Sequence, residues 1–314
     1  MSDPLVSVIL PTHNRAQLVD RAIRSVLAQS YPSFELIVVD DASDDETPQL
    51  VRAFDDPRVR YLQLESNRRA AAARNLGVEE ARGDLLAFQD DDDIWLPDKL
   101  RQQVPALLAE PAEVGLNICS HIKVRSGRAL HVGGEKHWSS LRFDAGLEGL
   151  DFSLVATPGW LLRRECFERV GGFDERMRCW DDWELAARLA QQFRFTHLDE
   201  VLWLQDRRRD GPGMFDNSAN FANDHRIIAE TLAADWSPPL ASRQWFLTGY
   251  FEAMQGDGAD ARAAFRHAVE AHPRNTKARL ALALSYGGSS TVRAAAQAAR
   301  RARRARSKLP SVRS

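Results

Sequence analysis

Phe88-Gln89-Asp90-Asp91-Asp92-Asp93-Ile94-Trp95 sets four carboxylates in a row directly behind the apolar run Leu85-Leu86-Ala87-Phe88. The apolar run reads as a buried strand. Adjacent carboxylates repel by about 4 kcal/mol per pair at close range near a surface. An ordered loop that holds such charge calls for a cation. Hard oxygen ligands with no His or Cys close by suit Mg²⁺ or Mn²⁺ over Zn²⁺. At the carboxyl end of a parallel strand, the ion would sit where open α/β sheets bind their ligands. Most acidic runs are solvated turns. This one is clamped between a buried strand and an Ile-Trp-Leu-Pro step into a helix.

Upstream of that loop the chain alternates. Leu5 to Leu10 is apolar and β-branched and reads as a first strand ending at Pro11. Leu18, Ala22, Ile23, Val26 and Leu27 then recur at helical spacing. Phe34 to Val39 is a second strand running into Asp40-Asp41, and Ala42 to Thr47 carries cap-type residues into a second helix. Val59 to Leu62 is a short third strand, Ala70 to Glu80 a strong helix former, and Leu85 to Phe88 the fourth strand. This β-α-β-α-β-α-β order predicts parallel strands with helices on both faces.

Four pieces of this block carry a family resemblance. They are Val6 to Arg15, Glu35 to Asp45, Ala73-Arg74-Asn75-Leu76-Gly77, and the acidic loop with Trp95-Leu96-Pro97-Asp98-Lys99-Leu100. Their order and spacing resemble the nucleotide-binding half of family 2 glycosyltransferases. Two later pieces, Arg164 to Glu175 and Trp180-Asp181-Asp182-Trp183-Glu184-Leu185, resemble that family's acceptor-side segment and its acidic pair at a helix start. The resemblance covers about residues 4–205. It implies a GT-A fold, an α/β architecture with a Rossmann-like, mostly parallel sheet, and here an all-α carboxyl-terminal extension. The expected domains are residues 1–235, divided near 100 into nucleotide and acceptor halves, then a tetratricopeptide-like helical stretch over 236–290 and a basic tail over 291–314.

The resemblance also implies roles. Pro11, Thr12 and Asn14 would line the nucleotide cleft, and Asp41 would bind a uracil-type base. Asp92 would be the main ligand of Mn²⁺ or Mg²⁺, with Asp90 as a second ligand and Asp90 or Asp91 reaching the ribose or a metal-bound water. Arg74, or Arg68 or Arg69, would add a cationic contact to the diphosphate. Asp182 would be the general base, with Asp181 free to cap the helix. No residue suggests a covalent nucleophile, so the reaction would be a single displacement with inversion. The bland alternatives are helix capping for Asp40 and Asp41, surface exposure for the arginines, and core packing for Trp160, Trp180 and Trp183. Arg69 stands where the family usually has Gly, and His13 where Tyr is usual.

Composition bounds the rest. Apolar content of 44%, charged content of 27% and a net charge of −2 describe an ordinary globular protein and give no case for nucleic acid. Cys119, Cys166 and Cys179 are widely spaced, odd in number and expected to be buried inert thiols. Met1 to Pro4 lacks the basic and apolar regions of a signal peptide, and the cysteine pattern leads to the expectation of a reducing, cytoplasmic setting. Residues 126–150 read as a flexible connection and Arg207 to Gly213 as a second loop. From about Ser237 the pattern is helical. The tail from Thr291 has eight Lys or Arg and no acidic residue. Contact with an anionic membrane surface, at about 1 kcal/mol per basic residue, stands level with the alternatives of RNA contact or a plain solvated tail.

Three functions follow from these features. The first moves a sugar from a nucleotide-sugar donor, UDP-linked by expectation, to a hydroxyl of a glycan or lipid-linked acceptor during cell-surface polysaccharide assembly. The second is a non-catalytic nucleotide-sugar-binding protein whose helical carboxyl terminus recruits a partner. The third, a sugar nucleotidyltransferase, needs a Gly-rich phosphate loop after the first strand, and Pro11-Thr12-His13-Asn14 is not one.

Overall fold

A computed structural model describes residues 3–125, 128–133, 156–206 and 218–306. The chain divides into two compact units, Met1–Arg176 with Trp180–Asp210, and Met177–Cys179 with Gly211–Ser314.

The first unit is built on one mixed sheet. Its strands are β1 (Val6–Thr12), β2 (Phe34–Asp40), β3 (Val59–Gln63), β4 (Leu85–Phe88), β5 (Ile94–Trp95), β6 (Val114–Arg125), β7 (Arg128–Gly133), β8 (Trp160–Arg163) and β9 (Arg194–Asp206), in the order β3-β2-β1-β4-β8-β6-β9-β5 with β7 on β6. Strands β3, β2, β1 and β4 are parallel neighbours, as the alternation predicts. Their carboxyl ends therefore share one edge, which brings Thr12, Asp41 and the acidic loop together. From β8 onward the pairing is mixed: β8 runs antiparallel to β4 and β6, while β9 is parallel to β6. Residues 128–133, expected within a flexible connection, instead form β7 and complete a hairpin with β6. The rest of that connection, and the loop expected at 207–213, lie outside the described residues.

Helix α1 (Ala16–Leu27) buries Val19, Ala22, Ile23 and Val26 against Val6, Val8, Leu10, Leu36 and Val38. Helix α2 (Thr47–Arg52) follows β2. Helix α3 (Arg69–Glu79) covers the opposite face. Its alanine run lets it lie close to the sheet, and Gly77 sets the closest approach: a Cβ there would fall 2.5 Å from Ile9 Cγ2. Gly77→Ala is expected to destabilise the protein by about 1–3 kcal/mol through overpacking. Urea unfolding should show a lower midpoint at unchanged slope. Helix α4 (Lys99–Leu108) starts on a fully buried Lys99, whose Nζ lies 4.0 Å from the Trp95 ring centroid and donates to Gln103 Oε1 at 2.7 Å. Burial pushes that amine down to about 8. Helices α5 (Arg164–Val170) and α6 (Asp181–Gln192) flank β8 and β9 in sequence.

The second unit is helical, with α7 (Ser218–Leu232), α8 (Pro238–Gln255), α9 (Gly258–Ala271), α10 (Thr276–Ser285) and α11 (Ser289–Arg306). It begins earlier than the sequence boundary at 236, because α7 packs on α8 and joins the helical layer. Asp257 and Asn275 cap α9 and α10 by accepting amides of Asp260 and Ala278 at 3.0 and 3.1 Å. Ala253, Ala261, Phe265, Ala281 and Val292 form a small core. Arg226 joins Glu252, at 2.6 Å, to Asp260. Residues 307–314 of the basic tail lie outside the described residues. No helix among the described residues is long and apolar enough to cross a membrane. All three cysteines are buried and none is in a disulfide, and burial raises Cys119 and Cys166 to about 11.

Candidate active site

The loops at the carboxyl edge of β1, β2 and β4 are tied to one another by side chains. Thr12 Oγ1 donates to Asp91 Oδ2 at 2.8 Å. Asn14 Oδ1 accepts the Asp44 amide at 2.9 Å, and the Asn14 amide donates to Ser43 Oγ at 2.8 Å. Pro11 is buried at the end of β1, in register with Val39. Asn14, Ala42 and Arg69 hold positive φ angles of 53°, 59° and 73°. Such backbone conformations carry strain in residues other than Gly and gather where a loop is shaped for a ligand. Arg69 thus adopts a backbone conformation that favours Gly.

Asp41 is buried, and both its oxygens are engaged. They accept the Arg68 amide at 2.6 Å and the Arg69 amide at 2.7 Å. It therefore braces the turn into α3 rather than capping α2, the bland alternative. Asp40 accepts the Tyr61 hydroxyl at 2.5 Å and the Ser43 amide at 2.8 Å. Arg68 is exposed and paired with Glu175 at 2.7 Å.

Arg74 lies at the centre of the site. It is 6% exposed, donates to Asp90 Oδ1 at 2.7 Å and pairs with Asp181 at the start of α6. The guanidinium is thus committed to two carboxylates that the sequence reading assigned elsewhere. Asp181 does not act as the helix cap; Trp180 occupies the cap position. Asp182 follows, and its Oδ1 accepts the Trp183 amide at 2.6 Å. Burial first, then the Asp181 charge, push its carboxyl up to about 8 against the pull of Arg74. Of the three tryptophans for which core packing was the alternative, Trp160 and Trp183 are buried. Trp180 is partly exposed and meets Trp183 edge-on at 6.3 Å.

In the acidic loop Asp91, Asp92 and Asp93 are all pushed upward. Burial and the Asp92 charge push Asp91 to about 7. Burial and Asp90 raise Asp92, while the Arg15 guanidinium opposes. Asp93 is buried and held well above the usual range by burial and by Asp92. Among the described residues no side chain hydrogen-bonds to or ion-pairs with the Asp92 carboxylate. A partly buried, unpaired carboxylate among like charges, offering hard oxygen donors only, fits Mg²⁺ or Mn²⁺. The loop does not converge three carboxylates. The one described set within 4.8 Å of one another is Glu252, Asp257 and Asp260 in the helical unit, where Arg226 already sits. An ion at Asp92 would complete its shell with substrate phosphates and water, the habit of Mg²⁺.

Comparison with known proteins bears on the family and the fold. The profile described as "Glycosyl transferase family 2" matches residues 7–171. The succinoglycan biosynthesis protein ExoO of Rhizobium meliloti is 38% identical over 138 residues, which cover 44% of this chain and 39% of that protein. The UDP-Glc:alpha-D-GlcNAc-diphosphoundecaprenol beta-1,3-glucosyltransferase WfgD of Escherichia coli is 43% identical over 108 residues, 34% of this chain and 43% of its own. The matches thus span about two fifths of each relative's length. The crystal structure of S. aureus TarS 1-349 in complex with UDP-GlcNAc superposes with a TM-score of 0.67 at 20% identity, over 93% of this chain and 92% of that one. That likeness extends the fold, helical carboxyl-terminal region included, across nearly the whole chain. With a family profile matched over more than half its length, the chain belongs to glycosyl transferase family 2.

Proposed function

We propose that the protein is a divalent-metal-dependent, inverting glycosyltransferase. It moves a sugar from a nucleotide sugar, UDP-linked, to a hydroxyl of a glycan or lipid-linked acceptor in cell-surface polysaccharide assembly. One observation carries the reading. Arg74 bridges Asp90 of the acidic loop to Asp181, so the loop and the high-titrating Asp182 share one buried charge cluster. The name of WfgD and the UDP-GlcNAc complex of TarS support a UDP-sugar donor, and the name of ExoO supports polysaccharide assembly.

The residues divide the work. Pro11, Thr12, Asn14 and Asp41 shape the nucleotide side of the cleft. Asp92, with the free oxygen of Asp90, would hold Mn²⁺ or Mg²⁺. When bound, that ion supplies positive charge for the diphosphate. Asp91, held by Thr12, faces the ribose side. Arg74 fixes Asp90 and Asp181 rather than meeting the diphosphate itself. Asp182 takes the proton of the acceptor hydroxyl as its oxygen bonds to the anomeric carbon. The bond from that carbon to the diphosphate oxygen breaks with its electron pair, releasing UDP and inverting the centre. A carboxyl that titrates near 8 is a stronger base, once ionised, than an ordinary one. Arg293 and the basic residues beyond it would add contact with an anionic membrane surface, measured by flotation with anionic against neutral vesicles.

The acidic loop gives this reading a pH signature. Asp91 and Asp182 titrate near 7 and 8 in the fold against an ordinary 3.8, so the fold favours their protonated forms. Their contribution to stability is full below that ordinary value and is lost as pH rises through 7 to 8. A bound cation favours the ionised loop. Mn²⁺ is therefore expected to raise Tm more at pH 8 than at pH 5.5. At a hundred times its dissociation constant the gain is about 2.7 kcal/mol. A donor screen by thermal shift with and without Mn²⁺ reads this and identifies the nucleotide. Equal shifts at both pH values, or none with any UDP-sugar, would count against the assignment.

A further inference from the structure

Arg21 and Asp206 fasten the backbone of the acidic loop from two other elements. Arg21 lies on α1; its Nη2 donates to the Asp92 carbonyl at 2.5 Å and its Nη1 to Asp206 Oδ2 at 2.6 Å. Asp206 ends β9, and its own amide donates to Asp93 Oδ1 at 3.0 Å. Gln89 Nε2 closes the turn by donating to the Asp93 carbonyl at 2.8 Å. The Arg21 and Asp206 side chains are only 23% and 12% exposed. This is more than a surface ion pair, because one arm of the guanidinium ends on the peptide of Asp92 itself. The planar fork of Arg suits two partners in a fixed relation, which the ammonium of Lys cannot reproduce.

We infer that Arg21, braced by Asp206, is a positioning residue for the cation site at Asp92. The inference rests on reading Asp92 as the cation ligand. With its carbonyl accepting from Arg21, the Asp92 peptide plane is fixed, and with it the direction from which its carboxylate can meet an ion. The positive charge of Arg21 acts the other way, since it opposes a second cation. Charge and positioning therefore predict opposite results when Arg21 is removed. Loss of charge alone tightens cation binding. Loss of positioning weakens it, as removal of outer partners of metal ligands commonly does by about 10- to 100-fold.

The test is Mn²⁺ titration of the full chain with UDP at fixed concentration, following the free-ion electron paramagnetic resonance signal. Circular dichroism checks that each variant is folded. Arg21→Met is expected to weaken Mn²⁺ binding by about 10- to 100-fold. Arg21→Lys should fall between it and the wild type. Asp206→Asn keeps the amide to Asp93 but loses the charged partner, and should weaken binding in the same direction. If Arg21→Met does not fold, the other two variants decide. Unchanged or tighter Mn²⁺ binding in the folded variants overturns the positioning role and leaves Asp92 as ligand. A wild-type protein that takes up no Mn²⁺ removes the Asp92 reading, and this inference with it.

Discussion

Asp182→Asn is expected to lower kcat by about 10²- to 10⁴-fold, the range a positioned general base supplies. That corresponds to about 3–5 kcal/mol of barrier. Asn is nearly isosteric and can still accept the Trp183 amide, so the start of α6 should survive. Donor binding should stay within a few-fold of wild type, because Asp182 acts on the acceptor. The wild-type rate should rise with pH toward about 8, where the carboxyl ionises, and Asp182→Asn should lose that limb. Initial rates across pH 5.5 to 9, with UDP affinity measured separately, check both parts. A variant that retains wild-type kcat would remove Asp182 as the base.

Arg74→Met should be the most damaging change to stability. It strips a buried guanidinium from two carboxylates at once. Removing one partner of a buried ion pair typically costs about 3–5 kcal/mol, because the remaining charge is left uncompensated. The loss should appear at pH 5.5 and at pH 8. Adding Asp90→Asn and Asp181→Asn to Arg74→Met should restore much of the stability, since no orphan charge remains. Urea unfolding of the single and triple variants at both pH values measures this. A single variant as stable as wild type at pH 8 would mean that the cluster holds nothing together.

The first four strands and their helices were legible because burial on both faces writes itself as apolar, β-branched runs, with turn residues between them. The acidic loop was legible because four adjacent carboxylates have few physical explanations. The partnerships of the site were not. Arg74 meets Asp181 across 107 positions and Arg21 meets Asp206 across 185. No local pattern records such a pairing, so Arg74 read as a diphosphate contact and nothing singled out Arg21. Asp41 read as a helix cap or a base contact, and its grip on the Arg68 and Arg69 amides appears only once β2 and α3 lie side by side. The positive φ of Arg69 had a signal in its displacement of a usual Gly, but not its sign. The β7 strand was missed because Gly- and His-rich residues beside it carry no alternation, and its pairing comes from the hairpin with β6. Likewise α7 precedes the Trp- and Ala-rich repeats that marked the helical region, so the boundary was set too late.

The most direct measurement follows UDP released from a panel of UDP-sugars with a mixed glycan acceptor and Mn²⁺, with and without excess EDTA. The wild type should release UDP from at least one donor, EDTA should stop it, and Asp92→Ala should release none even with Mn²⁺ present. UDP release that continues undiminished in EDTA, or in Asp92→Ala, would contradict a cation held by the acidic loop.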